Sequence, residues 1–295
     1  MTNDTLTAVP GVLVGHWTHS QGHTGCTVVV LPEPNVVAWE VRGAAPGSRE
    51  TAILEPGMRV EQAQALVLTG GSAFGLATAD GVMSQLEMEG RGHPTPVGPV
   101  PIVPAAVVFD LRPGMPRPGP DDGAAAYRSA GADPVEQGLV GAGAGTTVAK
   151  WRGFEHARPG GVGSATVTIG AVVVGALVVA NAVGDVFSLE GESLTGGWAV
   201  PGPPALFPPA GNTTLAVVAT NARLSRLDLL RVAVRAQDAY AVCLRPAHTR
   251  YDGDACFTVS CGQEDLSVDL VAEAAFESVG RALARAIASS RSGGG

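Results

Sequence analysis

The sequence predicts a layered α/β protein, with sheets inside and amphipathic helices outside, and three observations carry that expectation. Apolar residues make up 45% of the 295 and charged residues only 16%, so much of the chain must be interior. The middle of the chain holds near-continuous valine and alanine runs, the pattern of strands covered on both faces. Near the end, Phe276, Val279, Leu283 and Ile287 recur at spacings of three and four, one apolar stripe along a helix. A chain this long can bury roughly three quarters of its unfolded surface, so it needs no external staple. Its 40 glycines fall within apolar strands and turns, which points to tight sheet packing and close backbone contacts.

Taken in order, "CTVVVL" and "VVAWEV" flank the turn cluster "PEPN" and read as a hairpin. "ALVLTGGSAFGLATADGVMSQLE" reads as strand, glycine turn and helix, with Ser72 as the N-cap. Residues 111–123, "LRPGMPRPGPDDG", form the strongest loop candidate. Residues 141–190 are β-rich, from "TTVAKW" through "GSATVTIGAVVVGALVVANAVGDVFSL", and residues 191–212 form a second irregular segment. "TLAVVAT" is then a strand, "LSRLDLLRVAVRAQDAYAVCL" a helix and "ACFTVSC" a strand, before a final helix from about Leu266.

Several functions drop out on composition. A net charge of −8 without a lysine/arginine-rich run argues against a nucleic-acid partner. Cys26, Cys243, Cys256 and Cys261 form no CxxC pair, so neither a zinc site nor a disulfide framework is expected. The start, "MTNDTLTAVPG", lacks the regions of a signal peptide, and the longest apolar run, residues 171–183, is too short to cross a bilayer. A soluble cytoplasmic protein without a membrane partner is expected. His16, His19 and His23 lie close together in "GHWTHSQGH", which reads as an N-terminal loop, but no acidic or cysteine ligand stands beside them and no metal is expected. No cofactor is expected either. "GGSAFGL" has Phe74 where a serine nucleophile elbow needs glycine. "GAGAGTTVAK" has Ala149 where a phosphate loop needs glycine before its lysine. "GVGSATV" leads into a strand and is no dinucleotide turn.

What remains is a constellation around "GNTTLAVVATNA", residues 211–222. Thr213 and Thr214 stand where a proline-rich segment meets an apolar run. They begin a strand, which β-branched threonine suits, or they mark a cut that exposes a threonine with a free amine. Lys150 sits among small apolar neighbours, Asn181 interrupts a buried run, and Asp252 and Asp254 precede a strand. Each alone has an ordinary explanation: a solvated lysine, a satisfied core amide, a solvated turn. Together they fit one chemistry. An N-terminal threonine carries its own general base, an α-amine with a reference pKa of ~7.7–8.0. A lysine ammonium nearby would lower that value, an asparagine amide can donate to an oxyanion, and carboxylates can orient both cations. Spacing i, i+2 in an extended segment puts both aspartates on one face, unless Gly253 makes a tight turn.

"LTGGSAFGL", "GAGAGTTVAKW", "RPGGVGSA", "GNTTLAVVATNA" and "DGDACF" together resemble the family of L-aminopeptidase/D-esterases, β-peptidyl aminopeptidases and nylon-oligomer hydrolases. The resemblance spans nearly the whole chain as one domain. It implies a four-layer αββα sandwich like that of N-terminal-nucleophile hydrolases with different connectivity, and self-cleavage between Asn212 and Thr213 into fragments 1–212 and 213–295. It implies Thr213 as nucleophile, with Lys150 and Asn181 at the family's active-site lysine and asparagine. Asp252 and Asp254 match the paired acids of the nylon-hydrolase branch. Phe109, in "VVFDL", stands where some members have a substrate-side tyrosine. The implied protein is a homo-oligomer, tetramer or larger, acting on short peptides, amino-acid amides or linear amide oligomers, including an endo-acting 6-aminohexanoate oligomer hydrolase. An acyltransferase with the same nucleophile and an unprocessed binding homologue remain as alternatives.

Overall fold

The computed structural model describes residues 3–198, 200–202 and 211–292. Fourteen strands are described. They are β1 (Leu13–Thr18), β2 (Gly25–Val30), β3 (Val36–Val41), β4 (Ser48–Arg49), β5 (Ala65–Thr69), β6 (Ala105–Val107) and β7 (Thr147–Val148), followed by β8 (Arg158–Pro159), β9 (Gly161–Ile169), β10 (Val172–Asn181), β11 (Asp185–Val186), β12 (Thr213–Ala222), β13 (Leu244–Arg245) and β14 (Ala255–Glu264). Four α-helices accompany them: α1 (Thr78–Met88), α2 (Pro120–Arg128), α3 (Arg226–Cys243) and α4 (Val268–Ser292).

Ten strands form two five-stranded sheets, ordered β1-β2-β5-β6-β4 and β3-β14-β12-β10-β9. Alternate side chains along each strand face opposite ways, so a strand with both faces covered must be apolar throughout. The core divides accordingly into three layers. Val28, Val67 and Tyr127 belong to the layer between the first sheet and α1 and α2. Val29, Leu68, Leu177, Val217 and Phe257 fill the space between the sheets. Ala216, Val218, Val279 and Leu283 lie between the second sheet and α3 and α4. Consecutive residues such as Val217 and Val218 thus serve different layers. The architecture is the expected four-layer αββα sandwich.

The direction of three neighbouring strands places the site. β12 runs antiparallel to β10, with Thr213 opposite Asn181. It runs parallel to β14, with Leu215 opposite Ala255. The end of β10 and the starts of β12 and β14 therefore meet at one edge of the second sheet.

Four local expectations differ from the structure. "CTVVVL" and "VVAWEV" are no hairpin: β2 pairs with β1 and β5, whereas β3 pairs with β14 in the other sheet. "PEPN" is a crossover, tied to the first sheet's flank by Asn35, whose Nδ2 donates to Ala63 O at 2.9 Å. Ser72 is no N-cap. It follows Gly71 in the left-handed region at φ 51°, begins a 3-10 turn over Ser72–Ala77, and α1 starts only at Thr78. The loop at 111–123 ends early, because Pro120 takes the first position of α2, where its missing N–H costs nothing, and the Asp122 side chain caps Gly119 N. "TTVAKW" carries only the two-residue strand β7, so Lys150 lies beyond it. Most of "PGPPALFPPA" lies outside the described residues.

The stripe on α4 gives a stability test. Val279 and Leu283 are fully buried and Ile287 nearly so, while Leu270 on the same helix is 46% exposed. Leu283→Ala should cost about 2–5 kcal/mol, and Leu270→Ala should stay within about 0.5 kcal/mol. Urea unfolding of Thr213→Ala chains measures both.

Candidate active site

Thr213 opens β12 with 5% of its surface exposed, and its Oγ1 donates to the carbonyl of Asn212 at 2.5 Å. That same carbonyl accepts the Gly253 N–H at 2.8 Å, part of a parallel bridge between Asn212 and Asp252. Gly253 must be glycine here. A Cβ on it would meet Ala45 O at 2.6 Å and Thr213 Oγ1 at 2.8 Å.

Asn181 faces Thr213 across the strand pair, and all its polar atoms are engaged. Its Oδ1 accepts from Thr147 N at 3.1 Å and from Lys150 Nζ at 3.3 Å. Its Nδ2 donates to the carbonyls of Phe109 and Gly211, each at 3.3 Å. The expected oxyanion role therefore does not match this uncut chain, where the amide sits one carbonyl upstream of the Asn212–Thr213 bond.

Lys150 is aimed inward by its backbone. Ala149 adopts a left-handed φ of 63°, and Lys150 N donates to Val183 O. The side chain is 3% exposed, and Nζ donates to Asn181 O at 3.2 Å as well as to Oδ1. Burial disfavours the ammonium and pulls its pKa from 10.5 down to about 7, against the opposing pull of the Asp252 charge. Burial thus works against the lysine ammonium that the sequence suggested.

Asp252 and Asp254 are both 1% exposed, so neither is a solvated turn residue. They do not converge on one pair of cations as expected. Asp252 Oδ1 accepts from Val183 N, and its Oδ2 accepts from Thr249 N and, at 2.5 Å, Thr249 Oγ1. Burial and the neighbouring Asp254 push its pKa up. Asp254 Oδ1 accepts from Thr214 N at 2.7 Å, and its Oδ2 bonds His248 N and Nδ1. Both acids chiefly hold backbone around the start of β12. Sequence reasoning missed Thr249, His248 and the Gly253 N–H. The pair Thr249 and Asp252, three residues apart, was a readable turn signal, since such side chains close on nearby backbone. Nothing local marks His248.

Phe109 is 41% exposed and packs on Gly211, where a Cβ would lie 2.3 Å from the ring. Ring and glycine together border two cavities. One, of about 260 Å³, reaches Ser72, Asn212 and Thr213. The other, of about 170 Å³, reaches Asp110, Arg112, Phe154 and Lys150. Of the histidines set aside, His16 lies within β1 and not in a loop. Its Nδ1 bonds Thr27 Oγ1 at 2.9 Å, and burial lowers its pKa to about 4, so it is neutral. No cluster of three potential metal ligands occurs among the described residues. No helix among them is long and apolar enough to cross a membrane.

Two stacked sheets between helix layers make the layered architecture of N-terminal-nucleophile hydrolases, with Thr213 at a central strand start opposite Asn181, to which the buried Lys150 donates. Solved structures agree on the fold. A Burkholderia β-aminopeptidase superposes with a TM-score of 0.76 at 19% identity, covering 98% of this chain and 87% of that one. The L-aminopeptidase D-Ala-esterase/amidase of Ochrobactrum anthropi, described as a variant of the Ntn hydrolase fold, gives 0.76 at 20% identity over 97% and 86%. Among sequence relatives, an uncharacterized aminopeptidase of Mycobacterium bovis is 40% identical over 88% of this chain and 82% of its own. A 6-aminohexanoate-oligomer endohydrolase of Paenarthrobacter ureafaciens is 30% identical over 87% and 75%. The model of peptidase family S58 matches residues 4–294. The chain belongs to peptidase family S58 and is a hydrolase of peptide amide bonds.

The lysine's burial has a measurable consequence. Its folded pKa of about 7 lies below its ordinary 10.5, so between these values the unfolded chain binds more protons. Stability then rises with pH across that window, and the gain is lost as pH falls back towards 7. Lys150→Met removes this dependence. Its stability advantage over Lys150 should be largest at pH 7 and shrink towards pH 10, as urea unfolding of Thr213→Ala chains would measure.

Proposed function

We propose that the protein is made as one chain, cuts itself between Asn212 and Thr213, and then uses Thr213 to hydrolyse amide bonds. The observation that carries this reading is the Thr213 hydroxyl held 2.5 Å from the carbonyl oxygen of Asn212. In the cut, Oγ1 adds to the Asn212 carbonyl carbon, its proton passes to the departing Thr213 nitrogen, and the C–N bond gives way to an ester. Water then splits the ester, leaving a carboxylate on Asn212 and restoring the hydroxyl on Thr213.

Two bases serve the two stages. Before the cut the Thr213 nitrogen is an amide with no basicity. Neutral Lys150, its Nζ bonded to the residue opposite Thr213, is the group suited to move the proton. After the cut, the free amine of Thr213 takes over, with a reference pKa of ~7.7–8.0. The substrates are short peptides, amino-acid amides or linear amide oligomers. This range follows the relatives, one set named aminopeptidases and the other endohydrolases of 6-aminohexanoate oligomers.

Intact mass of purified protein should show two chains, the smaller beginning at Thr213. Thr213→Ala should remain whole and inactive, whereas Thr214→Ala should cut and turn over substrate. An active enzyme that stays whole would sink the reading.

The rate of cutting should fall about tenfold per pH unit below about 7, where Lys150 becomes charged, and level off above it. Asp252→Asn removes the charge that raises the Lys150 pKa, so it should move this limb to lower pH. Time courses of cutting from refolded chain measure the limb, and an upward shift would contradict the assigned base.

A further inference from the structure

Two donors converge on the oxygen of the Asn212 carbonyl, and they differ in what becomes of them. Thr213 Oγ1, at 2.5 Å, belongs to the attacking group and loses its proton as the new bond forms. The Gly253 N–H, at 2.8 Å, is fixed backbone and keeps its proton throughout. The side-chain amide of Asn181, the donor suggested by residue type, is committed to the carbonyls of Gly211 and Phe109. We propose that the backbone N–H of Gly253 is the oxyanion donor at the reacting carbon, in self-cleavage and in turnover. This rests on the cut at Asn212–Thr213.

Negative charge collects on the carbonyl oxygen when Oγ1 adds to its carbon. A donor already aligned there stabilises that charge without reorganising. The Gly253 N–H is aligned from both sides. Its neighbours Asp252 and Asp254 are anchored through their carboxylates, the first by Thr249 and Val183, the second by Thr214 and His248. Their carbonyls are held too, Asp252 O by Ala45 N and Asp254 O by Arg42 N and Gly43 N. The acid pair thereby acquires a positioning role: each carboxylate fixes one neighbour of the glycine that carries the donor. The same arrangement requires glycine at 253, since a Cβ would crowd the nucleophile.

Turnover inherits the donor for a chemical reason. The ester formed during cutting is an acyl-enzyme whose acyl group is the chain's own large fragment. Water resolves it through a tetrahedral carbon on Thr213 Oγ1, as it resolves an ester carrying a substrate acyl group. A donor placed for the first carbon is placed for the second.

The test removes the N–H and leaves every side chain in place. Cell-free translation with glycolic acid at position 253 turns the Asp252–Gly253 amide into an ester, exchanging N–H for oxygen. Cutting, followed by intact mass, should slow roughly 100-fold or more, the usual effect of losing one oxyanion donor. Turnover per cut chain should fall similarly, with the uncut fold preserved by circular dichroism. A second measurement does not depend on that chain folding. In full-length Thr213→Ala the hydroxyl is gone, so the Gly253 amide should be protected from hydrogen exchange and show a through-bond coupling to the Asn212 carbonyl carbon. A folded ester chain that cuts at the parent rate overturns the proposal, as does a Gly253 amide that exchanges freely without coupling. A parent chain that never cuts removes the processing reading itself, a separate result.

Discussion

The relative direction of three strands in one sheet governs everything around Thr213. β12 is parallel to β14 and antiparallel to β10, so two strand starts and one strand end share an edge. Both faces of this sheet are buried, and the few polar side chains along its strands, such as Ser164 and Thr258, spend their hydroxyls on backbone carbonyls. The larger polar cluster forms where the strands stop, and there Asn181, Thr213 and the Asp252–Asp254 turn are brought together. Reversing any one strand would carry its polar terminus to the opposite edge.

Gathering polar groups under two apolar layers has an electrostatic cost, and the network meets it with backbone. Asn181, Asp252 and Asp254 spend their hydrogen-bonding capacity largely on peptide groups of Thr147, Gly211, Val183 and Thr214. A network satisfied in this way is rigid, because each partner belongs to a strand or a tied turn. Lys150 is the exception in charge. Its burial outweighs the single opposing carboxylate, which brings its pKa down to about 7. A group poised there can both accept and return a proton.

Much of this was readable in the chain. β10, β12, β14, α3 and α4 stand out because their apolar patterns are long and unbroken, and the candidate residues sit where those patterns end. The hairpin reading of β2 and β3 failed because spacing and turn residues report on local geometry, not on which sheet a strand joins. His16 looked like loop because "GHWTHS" mixes polar residues into the end of β1, whose partner β2 carries the apolar side of that pairing. Pro120 read as a breaker because its role depends on where the helix begins, and nothing local states that.

By itself the sequence determined the α/β class, the kinds of groups in the site and the family resemblance, since periodicity and residue type act over short stretches. Only the tertiary structure decided which strands neighbour each other, which way each carboxylate turns and how far burial shifts Lys150. These depend on contacts between segments a hundred or more residues apart, such as Phe109 on Gly211 or Lys150 near Asp252. Burial sets the local dielectric, and with it the protonation state that the chemistry uses.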